Sequence, residues 1–506
     1  MSRMVRLAKG ACHKAILSLR MPPLAAALVV GVPLLITASL WAMRTEHYHT
    51  NVNLIYYPTF AFVYVVWVFP ILGFMLFSFP QLRPNPPAPP KHRFICLIPA
   101  YNEERVIANP VLSLIGQDYP ADLYEFWVIF DGSDDTGKIA SNLGAKVLFT
   151  PTMGFGKHRA LDYAFKALLS EDDDRYVAVF DADNVVSANY LQSMNNAIEA
   201  RGFRCMQAFH DVLNGSDNWI TKALWCSCVA ASRIYLTGRM RSFCSVLICG
   251  TGWCCEARLL RRYWGGTRTQ TEDIELNGIL AVESGIRVGY VPEAHIYDEK
   301  PLNIWVAIRQ RMRWMCGHSR VAYYHFFRCL WQGIVRFDIA PLELALYYLV
   351  PFALLASFLT WPILAGIWVG DFTITGPLAG GTVQHVFEGI ALFFIFGYQV
   401  VGFWGTEKLG TNGFVRAYRV FLYSFYTLAF TVLAWPPAVI WAFFSVAKTD
   451  WLYHTPHVSN VTEEAAAEQN LTVTQSLSQV NPTEVFAERG RIESPSAAAV
   501  AEGVIL

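Results

Sequence analysis

The chain has 506 residues, enough for two or more domains, and its formal net charge at pH 7 is zero. Because the chain has no excess of basic residues, we expect no nucleic-acid partner. Apolar residues make up 54% of the chain and charged residues only 16%. This composition excludes an ordinary soluble enzyme and predicts a membrane protein.

The first eighty residues predict a cytosolic N-terminal segment followed by two membrane-spanning helices. Residues 1–22 carry five Lys and Arg residues among apolar ones, and such a long charged stretch favours a basic interfacial segment over a cleaved signal peptide. Residues 23–80 contain two apolar stretches, 23–41 and 54–79, each long enough to cross a bilayer. The loop between them holds one basic residue, Arg44, so the positive-inside rule predicts that both ends of this region are cytosolic.

A proline-rich linker at 81–92 leads into a region of different character, residues 93–300. Here short apolar runs alternate with amphipathic stretches, and alternation of this kind predicts an α/β domain with a mostly parallel sheet. The predicted strands are 94–98, 126–130, 146–149 and 176–180, and the predicted helices are 158–170 and 188–200.

After this domain the apolar character returns. Residues 301–340, like the shorter stretch 218–236, mix Trp, Tyr and Arg in a helical pattern, which is typical of helices lying along a membrane surface. The eleven cysteines avoid the two loops expected outside, 42–53 and 370–386, so we expect reduced thiols.

Residues 341–447 form the predicted C-terminal transmembrane region. It has two spans, 341–369 and 387–405, and an apolar segment, 420–446, which we expect to break at Trp435-Pro-Pro. Whether that segment crosses once or turns back is open. The polar residues 448–506 predict a disordered tail.

Asp181 and Asp183 follow the predicted buried strand 176–180. In extended backbone, side chains two residues apart point the same way, so both carboxylates would face one site at the carboxyl edge of the sheet. Two such oxygen ligands suit Mg²⁺ or Mn²⁺, although Asp-x-Asp is also common in solvated loops.

Other loops at the same edge carry polar side chains. Tyr101 and Glu103 follow the first strand, and Asp131 follows the second, where they are either nucleoside contacts or ordinary turn residues. Lys157 ends Gly-Phe-Gly-Lys at a helix start, a weak signal for phosphate binding.

Two later motifs could carry chemistry. Glu272 and Asp273 lie in Thr-Glu-Asp at a helix start, where one of the two carboxylates is a general base, or both are simply acids in the first turn of a helix capped by Thr271. We expect the helix start to keep Asp273 ionised. Gln310, Arg313 and Trp314 share one helix face, which offers a diphosphate contact and a ring for sugar stacking, or else simple membrane anchors.

The motifs Tyr-Asn-Glu, Asp-Gly-Ser, Gly-x-Gly-Lys, Asp-Ala-Asp, Thr-Glu-Asp and Gln-Arg-Met-Arg-Trp occur in this order between predicted spans. The chain thereby resembles the processive, membrane-embedded family 2 glycosyltransferases, the cellulose, chitin, hyaluronan and poly-N-acetylglucosamine synthases. The resemblance covers residues 99–314 and implies a Rossmann-like, GT-A-type cytosolic domain inserted between transmembrane helices. It further implies an inverting enzyme that uses a UDP-sugar to extend a β-linked polysaccharide and exports it through its own spans.

The resemblance also implies roles for individual residues. It assigns the donor site to Tyr101, Glu103, Asp131, Lys157, Asp181, Gln310 and Arg313, the metal to Asp181 and Asp183, the base to Asp273, and the acceptor platform to Trp314. The family usually has two adjacent acids before Gly-Ser, whereas here the first is Phe130. A gating loop of the family resembles residues 451–457, with Trp451 and Thr455, although their spacing is one residue longer than expected.

These features predict a multi-pass protein of the plasma or inner membrane whose catalytic domain is cytosolic. One alternative is a glycosyltransferase that acts on a membrane lipid, of the ceramide glucosyltransferase type. Another is a transporter or scaffold without chemistry, although transporters usually devote most of the chain to spans. The sequence names neither the sugar nor an export partner.

Overall fold

The computed structural model describes residues 50–51, 58–59, 61–79, 81–154, 156–358, 372–373, 398, 402 and 412–445. The predicted span 23–41, most of the predicted span 387–405, and the tail with Trp451 and Thr455 lie outside these residues.

The predicted α/β domain is built on one eight-stranded sheet. Its strands are β1 (Phe94–Ala100), β2 (Tyr124–Phe130), β3 (Lys146–Phe149), β4 (Tyr176–Val179), β5 (Val185–Val186), β6 (Cys205–Val212), β7 (Trp253–Glu256) and β8 (Gly289–Asp298), in the spatial order β3-β2-β1-β4-β7-β6-β8-β5. Strands β1 to β4 run parallel, and β7 runs antiparallel to both of its neighbours. The prediction of a mostly parallel sheet is therefore confirmed.

Strands β1, β2 and β4 are buried because both faces of the sheet are covered, whereas the edge strand β3 exposes its two end residues, Lys146 and Phe149. The helices of the domain and its surroundings are α1 (Phe69–Phe77), α2 (Ala108–Ile115), α3 (Thr136–Asn142), α4 (Lys157–Leu168), α5 (Tyr190–Arg201), α6 (Trp219–Ala230), α7 (Thr237–Arg241), α8 (Ala257–Tyr263) and α9 (Glu272–Ile279). The two helices predicted from periodicity, 158–170 and 188–200, are thus found as α4 and α5, with ends shifted by one or two residues.

The proline-rich linker is bound to the domain along its length. The backbone N–H and the side-chain amide of Asn85 both donate to Glu293, and the N–H of Ala88 donates to Asn196 on α5. Further along, the N–H groups of Lys91 and His92 share the side-chain oxygen of Asn195. These bonds fix where the chain enters the sheet at β1.

Four helices follow the sheet: α10 (Ile304–Arg336), α11 (Ile339–Tyr348), α12 (Val350–Phe358) and α13 (Gly413–Ser445). The predicted break at Trp435-Pro-Pro is wrong, because α13 continues through Pro436 and Pro437. Ala434 and Ala438 on either side of the prolines are fully buried in a cluster with residues of α6 and α10. This packing holds the helix together where the prolines remove backbone hydrogen bonds.

Among the described residues, Gly413–Phe444 is long and apolar enough to cross a membrane, with a mean hydropathy of 1.6. Helices α11 and α12 pass the same test only as a pair, bent by 42° at their junction, and Ala61–Phe77 is a shorter apolar helix. The two loops expected outside meet in a short parallel ladder, Thr50–Asn51 against Phe372–Thr373. The multi-pass arrangement remains a prediction.

Candidate active site

The loops after β1 and β2 lock together at the carboxyl edge of the sheet. Asn102 adopts a left-handed backbone, with φ of 54°, and its side-chain oxygen accepts a bond of 2.8 Å from the N–H of Ser133. A Cβ atom on Gly132 would overlap that same oxygen, so only glycine fits there. The N–H of Glu103 donates to the hydroxyl of Thr136 at 2.8 Å. The Tyr-Asn-Glu and Asp-Gly-Ser motifs therefore form one structural unit.

Asp131 connects this unit to the loop before α4. Its carboxylate is buried and accepts bonds from the N–H of Gly156 at 2.7 Å and from the hydroxyl of Thr150 at 2.9 Å. Gly156 has φ of 83°, a conformation that favours glycine. Asp131 thus shapes the loop that presents Lys157. Tyr101, on the same rim, is 41% exposed.

Lys157 lies at the meeting point of three segments. Its ammonium group bonds to Oδ1 of Asp181 and donates to the carbonyl of Gly250 at 2.8 Å. Burial alone would lower the pKa of Lys157, but Asp181, with Glu272 and Asp273 nearby, raises it. The predicted donor-site residues Lys157 and Asp181 therefore meet the Thr-Glu-Asp motif at one place.

Asp181 and Asp183 follow β4 but are not in extended backbone. The strand ends at Val179, and residues 182–183 form a turn, so the predicted alternation of an extended chain does not apply. The Asp181 side chain is 38% exposed. Asp183 is buried, and its oxygens accept from the N–H of Glu299 and the amide of Asn184.

The segment Gly250-Thr251-Gly252, before β7, belongs to the site although the sequence reasoning missed it. The Thr251 hydroxyl donates a hydrogen bond to the side-chain oxygen of Asn184 and accepts one of 3.0 Å from the N–H of Asp181. The two glycines have φ of 80° and 66°, and a Cβ atom on Gly250 would lie 3.7 Å from Oδ2 of Asp273. Two glycines flanking a threonine directly before a buried strand were the available signal.

Asp273 lies in the first turn of α9, beside this glycine segment. Burial, followed by the neighbouring charge of Glu272, raises its pKa from 3.8 to about 7. The helix start was expected to keep Asp273 ionised at neutral pH, but burial and Glu272 outweigh the helix dipole and leave the group only partly ionised there. The capping alternative also fails in part: Thr271 is the N-cap residue, but its side chain makes no capping bond.

The face of α10 that carries Gln310, Arg313 and Trp314 continues to Gly317, one turn further on. A Cβ atom on Gly317 would lie 2.5 Å from Cγ2 of Thr271, so the Thr271 side chain packs directly against the backbone of α10 here. Nε of Arg313 is buried and has no hydrogen-bond partner among the described residues. The structure thus brings this helix face to the start of α9.

Asp181 and Asp183 offer the carboxylate oxygens that a divalent cation of the Mg²⁺ or Mn²⁺ type takes from proteins, and their role as ligands remains a prediction. Asp181 already receives the ammonium group of Lys157, so its position suits a cation, and Asp183 lies in the following turn. No group of three or more His, Cys, Asp or Glu side chains that could hold a metal occurs in the part of the chain that the structure describes. Two carboxylates are what Mg²⁺ sites commonly take from a protein when phosphate oxygens and water complete the shell. When bound, the ion would neutralise charge on a leaving diphosphate.

Known proteins are similar to part of the chain. Residues 90–317 match the family described as "Glycosyltransferase like family 2". The chain is 28% identical over 255 residues to the probable glycosyltransferase YdaM of Bacillus subtilis, covering 48% of this chain and 59% of that protein. It is 25% identical over 295 residues to the beta-monoglucosyldiacylglycerol synthase of a Synechocystis species (56% and 60% covered). It is also 25% identical over 311 residues to an N-acetylglucosaminyltransferase of Sinorhizobium fredii (55% and 71% covered).

The chain spans about three fifths of the length of the first two of these relatives. The matched region contains the whole eight-stranded sheet and the Gln-Arg-Met-Arg-Trp stretch of α10. Residues 90–317 therefore match a glycosyltransferase family 2 domain and are built on a mostly parallel sheet.

Proposed function

We propose that the protein is an inverting glycosyltransferase that uses a UDP-sugar to extend a β-linked polysaccharide at the cytosolic face of a membrane. The observation that carries this proposal is the position of Asp273, a carboxylate with a pKa of about 7 beside Gly250 and near the Lys157–Asp181 pair. A base that titrates near the working pH is well suited to proton removal.

In the proposed reaction, Asp273 takes the proton of an acceptor hydroxyl while its oxygen forms a bond to C1 of the donor sugar. The bond between C1 and the diphosphate oxygen breaks at the same time, and UDP leaves with the electron pair. Attack from the face opposite the leaving group converts an α-linked donor into a β-linked product. The proton rests on Asp273 until product release.

The negative charge that develops on UDP needs positive partners. Lys157 lies at the start of α4, where backbone N–H groups add to its charge. Arg313 has a buried Nε without a hydrogen-bond partner among the described residues, and a guanidinium in that state suits phosphate oxygens. Asp181 and Asp183 would hold the metal ion. Tyr101, Glu103 and Asp131 would form the nucleoside end of the site.

Trp314 would form the floor of the acceptor site. It lies on the α10 face that meets Thr271, and it is partly buried against the domain core. On other faces of α10, large apolar side chains are exposed, among them Trp305 at 67%, Phe327 at 65% and Trp331 at 64%. Such side chains suit a membrane surface, which would keep the acceptor close to the bilayer.

A second candidate is transfer to a membrane lipid rather than to a polymer. The similarity of this domain to a beta-monoglucosyldiacylglycerol synthase favours it. The chemistry proposed for Asp273 is the same in both cases, because each acceptor supplies a hydroxyl group. Export of a polymer through the protein's own spans applies only to the first candidate.

The test is to incubate membranes containing the full-length protein with each radiolabelled UDP-sugar in turn. UDP release identifies the donor, and partition of the label separates the acceptors. Label in a high-molecular-weight fraction supports the polysaccharide synthase, and label in the butanol phase supports the lipid glycosyltransferase. Release of UDP from no donor would refute both. Membranes containing Asp273→Asn serve as the matched control.

A further inference from the structure

The short helix α9, which carries Asp273, is held in place by a buried side chain of its own. Glu275 is fully buried, and one of its oxygens accepts the backbone N–H groups of Arg268 and Thr269, both at 2.7 Å. It thereby ties the loop before α9 to the helix, in the place where Thr271 makes no capping bond. The path of the chain into Asp273 depends on this carboxylate.

The other oxygen of Glu275 connects α9 to α10. It lies 2.9 Å from Nε2 of His325, and both side chains are buried. Burial alone would raise the pKa of Glu275, but the bonds from His325 and from the backbone of Arg268 and Thr269 lower it. The carboxylate is therefore ionised and fully bonded inside the protein. Removing the imidazole would leave a buried charge without one of its donors, which is costly.

Two further contacts fix α9 from the same side. Thr271 packs against Gly317 of α10, where no side chain would fit. The hydroxyl of Tyr348, on α11, donates to the carbonyl of Ile274 at 3.1 Å. The helix with the candidate base is thus attached to the helix with Gln310, Arg313 and Trp314 through Thr271 at its start and through Glu275 one turn later.

We propose that Glu275 and His325 are positioning residues that hold Asp273 in register with the Gln310–Trp314 face of α10. This inference rests on the proposed function, because it assigns Asp273 as the base. Neither side chain touches the reacting atoms. They fix the distance between the base and the residues on α10. An error of about 1 Å in such a distance can lower the rate ~10²-fold.

The test compares His325→Leu, His325→Gln and His318→Leu in the full-length protein, reconstituted in lipid nanodiscs. Gln can still donate an N–H to Glu275, whereas Leu cannot. His318 is the matched control, because it is a buried histidine of the same helix that bonds instead to the carbonyl of Tyr347 at 3.0 Å. The measurements are kcat, KM for the UDP-sugar, the acid limb of the pH–rate profile, and the midpoint of thermal unfolding.

We expect His325→Leu to lower kcat by ~10²-fold and to leave KM unchanged. The acid limb of the pH–rate profile should also move. The reason is that burial and Glu272 set the pKa of Asp273, and both depend on where α9 lies. His325→Gln should recover most of the rate and the original limb. His318→Leu should lower the unfolding midpoint and leave the limb in place.

The proposal is overturned if His325→Leu keeps the wild-type rate. It is also overturned if the acid limb of His325→Leu does not move and His325→Gln recovers none of the lost rate. An equal displacement of the limb in His318→Leu also overturns it. If Asp273→Asn is inactive while His325→Leu is normal, this inference alone fails. If Asp273→Asn is active, the proposed function fails as well.

Discussion

Replacing Asp273 by Asn should stabilise the protein while abolishing its activity. The unfolded chain releases this proton near pH 3.8 and the folded protein only near 7. Between these values the folded state binds more protons than the unfolded state, so stability falls as pH rises through this window. A difference of about 3 pKa units corresponds to at most ~4 kcal/mol of unfolding free energy that the ionised carboxylate costs at pH 8. Asn has nearly the same shape and no charge to bury.

The stability assay is thermal unfolding of both proteins in the same detergent from pH 4 to pH 8. Asp273→Asn should have the higher midpoint at pH 8, and the difference should shrink toward pH 4, where Asp273 is neutral in the folded protein and only partly ionised in the unfolded chain. An equal or lower midpoint at pH 8 would show that the folded protein does not oppose ionisation of Asp273. The pKa assignment would then be wrong.

The activity assay is the initial rate of UDP release over the same pH range. The wild-type rate should fall about tenfold per pH unit below about 7, because a base must be unprotonated to act. Asp273→Asn should be ~10²–10⁴-fold slower and lack this limb. Glu272→Gln removes a neighbouring negative charge, so its limb should move to lower pH. A limb that survives in Asp273→Asn would mean that another group is the base.

Three further predictions concern the rest of the site. Gly132→Ala places a Cβ atom against Asn102, 2.7 Å from its backbone nitrogen. The variant should lose ~1–3 kcal/mol of stability and bind UDP more weakly by calorimetry. Unchanged UDP affinity would show that these loops do not contact the nucleotide. EDTA should abolish turnover and Mg²⁺ or Mn²⁺ restore it, whereas full activity in EDTA would refute a metal at Asp181 and Asp183. Trp314→Ala should stop product formation with little change in UDP-sugar affinity, and an equal loss of donor affinity would make Trp314 a structural anchor.

The helix α13 shows why a local signal can mislead. Adjacent prolines remove two backbone donors and normally end a helix, and the sequence therefore predicted a break within 420–446. The helix continues because the small residues Ala434 and Ala438 allow it to pack closely in a cluster with residues of α6 and α10. Those partners lie more than a hundred residues away in the chain, so no local pattern reports them.

The site shows the same division between local and tertiary information. Periodicity and turn chemistry could predict the buried apolar strands, the order of the motifs and the polar residues just after each strand. These features depend only on residues that are neighbours in the chain. The structure confirms the sheet and brings Lys157, Asp181 and Asp273 to one place. The roles of these residues in binding and catalysis remain predictions.

Only the tertiary structure decided the protonation of the base and the way it is held. The helix start at Thr271 predicted an ionised Asp273, but burial and Glu272 move its pKa to about 7. Three contacts join segments that are far apart in the chain: Gly250 lies beside Asp273, Gly317 packs against Thr271, and His325 bonds to Glu275. The energy of a charge depends on everything packed around it, and that environment exists only once distant segments have come together.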